Sequence, residues 1–93
     1  MAGANLYRLR VTDEVADLLG TLHPELKRKI KAGLRIIIGN PEAGKSLRDE
    51  LAGLRSFRVS RLRIIYRIKG RMIETVAVGP RERIYEETYR LMK

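Results

Sequence analysis

From Asn5 to Val11 apolar and charged residues alternate, with Tyr7, Leu9 and Val11 on one side and Arg8 and Arg10 on the other. That two-residue period predicts a half-buried strand. The period then changes. Thr12 offers a hydroxyl N-cap, and Asp13 and Glu14 place negative charge in the first turn of a helix. Val15, Leu18, Leu19 and Leu22 follow at helical spacing, so a helix is expected over Asp13–Leu22. His23-Pro24 restarts it, because proline fits a first helical position whose N–H has no partner anyway. Leu26, Ile30, Leu34 and Ile37 form the stripe of a second helix, Pro24–Ile38, with Lys27, Arg28, Lys31 and Arg35 mostly off that face. Gly39-Asn40-Pro41 stops it, with Gly39 expected in the left-handed position past the helix end. The two helices read as an αα-hairpin.

Residues 41–46 read as loop, and Leu47–Leu54 has room for one short helical turn. From Ser56 the period returns to two. Phe57 and Val59 alternate with Arg58 and Ser60; Leu62, Ile64, Tyr66 and Ile68 alternate with Arg63, Ile65 and Arg67. Lys69-Gly70-Arg71 is a turn, and the β-branched run Met72–Val78 is its partner strand. Gly79-Pro80 breaks that strand. Arg83–Met92 returns to helical spacing through Ile84, Thr88 and Leu91. The expected fold class is α+β, in the order β-α-α-β-β-β-α: an N-terminal strand, the αα-hairpin, a three-stranded antiparallel meander and a C-terminal helix. Four strands form the expected sheet, with the helix pair covering one face to build a core.

Composition narrows the function classes. Ninety-three residues fit one domain, residues 1–93, since domains typically run to roughly 100–200 residues, and exclude a two-lobed enzyme. Leu, Ile, Val and Phe number 27 of 93, above the roughly 20% below which a highly charged chain reads as disordered. There is no Cys and a single His, so disulfides, thiolate metal sites and paired-histidine catalysis are excluded. No cofactor or metal is expected. No apolar run approaches the roughly 18 residues of a membrane span. Arg8 and Arg10 inside the first apolar stretch argue against a signal peptide. A soluble, cytoplasmic protein that does not engage membranes is expected.

Charge adds the first functional pointer. Twenty Lys and Arg face 11 Asp and Glu, for a net charge of +9. Seven basic residues and no acid lie between Arg55 and Arg71. Fourteen of the 20 are Arg, whose planar fork matches phosphate oxygens two at a time. Arg58, Ser60 and Arg63 share the strand face away from Phe57 and Tyr66. That face is either a solvated sheet surface or a phosphate cradle. Arg81 and Tyr85 follow the Gly-Pro break at i and i+4, and face the same way if that stretch is helical. Alternatively Tyr85 packs in the core and Arg81 pairs with Glu82 or Glu86. His23 fits a helix cap. Gly44-Lys45-Ser46 resembles the tail of a phosphate-binding loop, but the first glycine is misplaced and a helix precedes it.

Taken together, Phe57-Arg58-Val59-Ser60-Arg61-Leu62-Arg63-Ile64-Ile65-Tyr66-Arg67-Ile68 and Val76-Ala77-Val78-Gly79-Pro80-Arg81-Glu82-Arg83-Ile84-Tyr85 resemble the RelE/ParE toxin superfamily of toxin–antitoxin systems. Asn40-Pro41 and Leu47-Arg48 fit the same pattern, and the resemblance runs from Tyr7 to Leu91. It implies a RelE-like fold. In the RelE branch it implies a ribosome-dependent endoribonuclease that cuts mRNA in the A site and inhibits translation. By position, Arg58, Arg63, Arg81 and Tyr85 resemble the catalytic residues. Arg48, Arg55, Ser60, Arg61 and Arg67 complete the expected RNA-binding set. Ser60 departs from the pattern, which has a second Lys in a proton-accepting role. Arg61 is adjacent but has the opposite strand parity. The ParE branch, which inhibits DNA gyrase, generally lacks the Arg/Tyr end present here. The resemblance further implies a RelB-like antitoxin, acidic and folding on binding; the sequence leaves the oligomeric state of the toxin alone open, with a monomer as the expectation. The alternatives are a gyrase-directed toxin or a small basic RNA-binding module.

Overall fold

The structure is a computed structural model that describes residues 7–93. Its elements are β1 (Arg8–Val11), α1 (Asp13–Thr21), α2 (Pro24–Gly39), β2 (Lys45–Ser46), a 3-10 turn (Asp49–Leu51), β3 (Arg55–Val59), β4 (Leu62–Lys69), β5 (Met72–Pro80) and α3 (Arg81–Met92). This is the α+β order expected, and positions 5 and 6 of the predicted first strand lie outside the described residues. Thr12 caps α1, its side chain accepting from the Val15 amide, and His23 caps α2 through the Glu25 amide. Gly39 does not turn left-handed. It stays in α2, and Asn40 (φ −151°) ends the helix, because the ring of Pro41 drives the residue before it out of the helical region.

The sheet has five strands rather than four, in the order β1-β5-β4-β3-β2. β1 runs parallel to β5, and the other pairs are antiparallel. The extra strand is the edge pair Lys45–Ser46, from the end of the predicted loop. Tyr66 holds that loop. Its fully buried hydroxyl donates to the Pro41 carbonyl at 2.7 Å and accepts from the Gly44 amide at 2.9 Å. A Cβ on Gly44 would stand 2.7 Å from that hydroxyl, so this glycine serves close approach rather than phosphate binding.

The sheet builds two cores. On one face Val15, Ile30, Leu34 and Ile37 of the helix pair pack on Val59, Ile64, Tyr66, Ile73 and Val78. The opposite face, expected to be open, carries α3. There Ile84 packs with Leu54, Ile65, Val76 and Ala77, and Tyr85 rests against the cluster. The register between β4 and β5 shifts at Ile65/Tyr66. Val76 and Ala77 therefore both face α3, as a β-bulge allows. β5 continues through Gly79 and Pro80, so the predicted break is the helix start itself: Pro80 caps α3, which begins at Arg81.

Candidate active site

Arg58 and Arg63 stand directly opposite each other across β3 and β4, and Arg63 is in turn opposite Gly79 on β5. Directly opposed side chains on one sheet face have Cβ atoms about 4.5–5.5 Å apart, where like charges destabilise the pair. No carboxylate relieves them: among the described residues neither arginine takes part in an ion pair. A local conflict left standing in an otherwise consistent fold is characteristic of a functional site.

The next β4–β5 pair, Leu62 and Pro80, leads from this row into the first turn of α3. That brings Arg81 beside the two strand arginines. The three line one cleft of about 700 Å³ together with Arg61, Ser60 and Glu82, its one carboxylate. Leu26, Leu62 and Pro80 supply the apolar wall. Ser60 is not on a strand face as expected. It opens the two-residue turn between β3 and β4 with φ 57°, and its carbonyl accepts from Arg58 Nε at 3.3 Å. Two-residue hairpins need positive φ at such positions, so parity counting could not place this residue.

The other expected residues have different surroundings. Tyr85 is half-buried beside the cleft rather than lining it, and its hydroxyl shares a hydrogen bond of 3.1 Å with Ser56 Oγ. Arg55 Nε donates to the Gly44 carbonyl at 3.0 Å and so fastens the loop before β3. Arg67 is bound by Glu74 at 2.7 Å, and Arg10 reaches the other oxygen of the same carboxylate at 3.7 Å. Arg48 is exposed at the start of the 3-10 turn. Sequence reasoning missed Glu82 and Leu26 as cleft residues. Leu26 read as part of the helix stripe, and Glu82 as a partner for Arg81, a pairing absent among the described residues. The signal for Glu82 was its place directly after Arg81, at a helix start that follows a strand end.

Four guanidinium groups against one carboxylate leave the cleft rich in donors, and the rigid fork of Arg has the geometry to meet phosphate oxygens. Among the described residues no three His, Asp or Glu side chains gather to hold a metal ion, and no helix is long and apolar enough to cross a membrane.

Comparison with known proteins agrees with this reading of the fold. No curated protein matches the chain. Solved structures do. The toxin–antitoxin complex RelBE2 of Mycobacterium tuberculosis contains a chain 29% identical, with TM-score 0.73, over 81% of this chain and 98% of that one. A chain of the archaeal RelE–RelB complex from Pyrococcus horikoshii is 23% identical, with TM-score 0.68, over 84% and 98%. A free arginine double mutant of E. coli toxin RelE is 19% identical, with TM-score 0.73, over 90% of each chain. The last two show likeness of fold. The family model described as the ParE toxin of type II toxin–antitoxin system, parDE, matches residues 6–85. The chain thus belongs to the ParE toxin family, within the RelE/ParE superfamily of type II toxin–antitoxin toxins.

Proposed function

We propose that this toxin is a ribosome-dependent endoribonuclease of the RelE type, cutting mRNA in the A site. The observation that carries the reading is the unrelieved Arg58–Arg63 pair, with Arg81 joining it in one cleft. The cleavage chemistry suits such a site. The RNA's own 2′-hydroxyl attacks the adjacent phosphorus, the 5′-oxygen leaves, and a 2′,3′-cyclic phosphate remains. Negative charge accumulates on the phosphoryl oxygens in the transition state. Fixed donors aimed at that charge usually supply the largest share of catalysis. Arg58, Arg63 and Arg81 are those donors, and the ribosome aligns the substrate. With four Tyr and one Phe in the chain there is little to stack bases on, which disfavours a sequence-tolerant single-strand binder.

The cytoplasm is the compartment this substrate requires. A RelB-like antitoxin, as in the complexes of the similar structures, is the partner that neutralises the toxin. The test is primer extension on ribosome-bound mRNA with wild type and Arg81→Ala. Wild type cuts in the A site; the variant keeps its fold and loses cleavage and growth inhibition together. The match to the ParE model favours one second reading, inhibition of DNA gyrase. Intact mRNA alongside inhibited gyrase supercoiling would replace the first reading with that one.

A further inference from the structure

The cleavage reaction needs a proton acceptor for the 2′-hydroxyl, and the cleft contains few groups able to serve. Arg58, Arg61, Arg63 and Arg81 offer donors alone. Leu26, Leu62 and Pro80 have no titratable atom. Ser60 has a hydroxyl where the family pattern has a lysine. Outside the lining, the Tyr85 hydroxyl is engaged with Ser56 Oγ, and His23 Nδ1 accepts the Glu25 amide at 3.3 Å. One group in the cleft remains, the carboxylate of Glu82.

Resting on the nuclease reading above, we propose that Glu82 is the general base of this cleft. Its backbone is held at the second residue of α3, behind Pro80, whose ring fixes the helix start and whose partner on β4 is Leu62. The carboxylate is also free for the task. Glu74 is bound by Arg67 and Arg10, and Glu86 by Arg90, whereas Glu82 is in no ion pair among the described residues despite four arginines around the same cleft.

The step balances within the cleft. Glu82 takes the proton from O2′, the O2′–P bond forms, and the P–O5′ bond breaks. The departing O5′ takes a proton from solvent water, and protonated Glu82 returns its own to the hydroxide so formed. The arginines stabilise the phosphoryl charge throughout.

The sign of the effect separates this role from a bland one. A carboxylate in a phosphate cleft repels substrate, so an acid kept only to favour the start of α3 should be dispensable. Removing its charge would then tighten binding and leave or raise the cleavage rate. A general base behaves oppositely. In single-turnover cleavage of ribosome-bound mRNA, Glu82→Gln should lower the maximal rate by roughly 10²- to 10⁴-fold. The half-saturating toxin concentration should stay unchanged or fall. Glu82→Ala should regain rate on addition of formate, while Arg81→Ala should not. Melting curves matching wild type exclude a folding defect, and His23→Asn should cut at the wild-type rate. Glu82→Gln cutting as fast as wild type, or Glu82→Ala indifferent to formate, overturns the assignment and leaves the nuclease reading standing. A wild type that leaves ribosome-bound mRNA intact overturns both.

Discussion

Replacing Arg63 by Gln should make the protein more stable and less active at once. Arg63 is opposite Arg58, and among the described residues no acid lies in ion-pairing reach. Arg63 is half-buried and Arg58 exposed, so their repulsion is mostly solvent-screened. Two unit charges about 7 Å apart repel by about 0.6 kcal/mol at the dielectric constant of water. Directly opposed like charges on a sheet fall in the same range, about 0.2–1 kcal/mol. Gln keeps a polar side chain and removes the charge. For a chain of this size about 0.6 kcal/mol corresponds to a rise in Tm of roughly 2–5 °C. The rise should shrink in high salt, where exposed charges are screened. Activity should move the other way. A charge-assisted hydrogen bond to phosphate contributes about 1.5–3 kcal/mol, so single-turnover cleavage should fall by roughly 10- to 150-fold. Thermal unfolding at 20 mM and 500 mM salt, alongside primer extension, measures both. Arg63→Gln melting below wild type would refute the reasoning, since it would make the arginine a structural residue. Full cleavage by the variant would remove it from the site.

Three further substitutions separate structural from functional roles. Tyr85→Phe loses the hydrogen bond to Ser56 and should cost about 1 kcal/mol in urea unfolding. Ser56→Ala should reproduce both that cost and any fall in cleavage, and the double variant should lose less than the sum; a fall confined to Tyr85→Phe would mean the hydroxyl touches RNA. Glu74→Gln leaves Arg67 and Arg10 without their carboxylate and should cost about 1.5–3 kcal/mol, with an unchanged unfolding midpoint counting against that triad.

The element order was legible because periodicity reports burial, and burial decides the elements. The stripe Ile30, Leu34, Ile37 and the alternation Leu62, Ile64, Tyr66, Ile68 each have one side toward the same core, whereas Leu26 at the head of that stripe lines the cleft. Three features escaped for physical reasons. The strand Lys45–Ser46 is two exposed residues held by backbone bonds to β3, so no apolar pattern marks it. The second core arises because Ile65, Val76 and Ala77 face α3. Ile65 alone read as one apolar residue between two arginines, and the bulge that adds Val76 to that face has no sequence period. Ser60 lies in a turn, where parity carries no meaning. The arginine row was legible from strand parity, whereas the role of Arg67 was not. Its neutralisation depends on Glu74, seven residues away on the next strand.

Gly79 joins the fold to the site, and a single methyl group there should disturb catalysis more than stability. It lies directly opposite Arg63 and one residue before the cap of α3. A Cβ at this position would meet Ile84 Cδ1 at 3.0 Å. Ile84 is 1% exposed, packed among Leu54, Ile65, Val76 and Ala77, so its δ-methyl has little room to swing aside. The contact should be relieved instead by α3 lifting by a few tenths of an ångström. That helix starts with Arg81 and Glu82, whereas Arg58 and Arg63 stay on the sheet. Gly79→Ala should therefore shift one half of the cleft against the other. Overpacking of this kind costs about 1–3 kcal/mol. A misplacement approaching 1 Å at a reacting centre costs up to about 10²-fold in rate. Ile84→Val removes the δ-methyl and by itself costs about 0.5–1.5 kcal/mol. Combined with Gly79→Ala it should restore cleavage to near the level of Ile84→Val alone, because the clash no longer exists. Primer extension on the two single variants and the double gives the answer. A double variant as slow as Gly79→Ala would mean that the glycine is needed for the approach of RNA to the backbone, and not for the seating of α3.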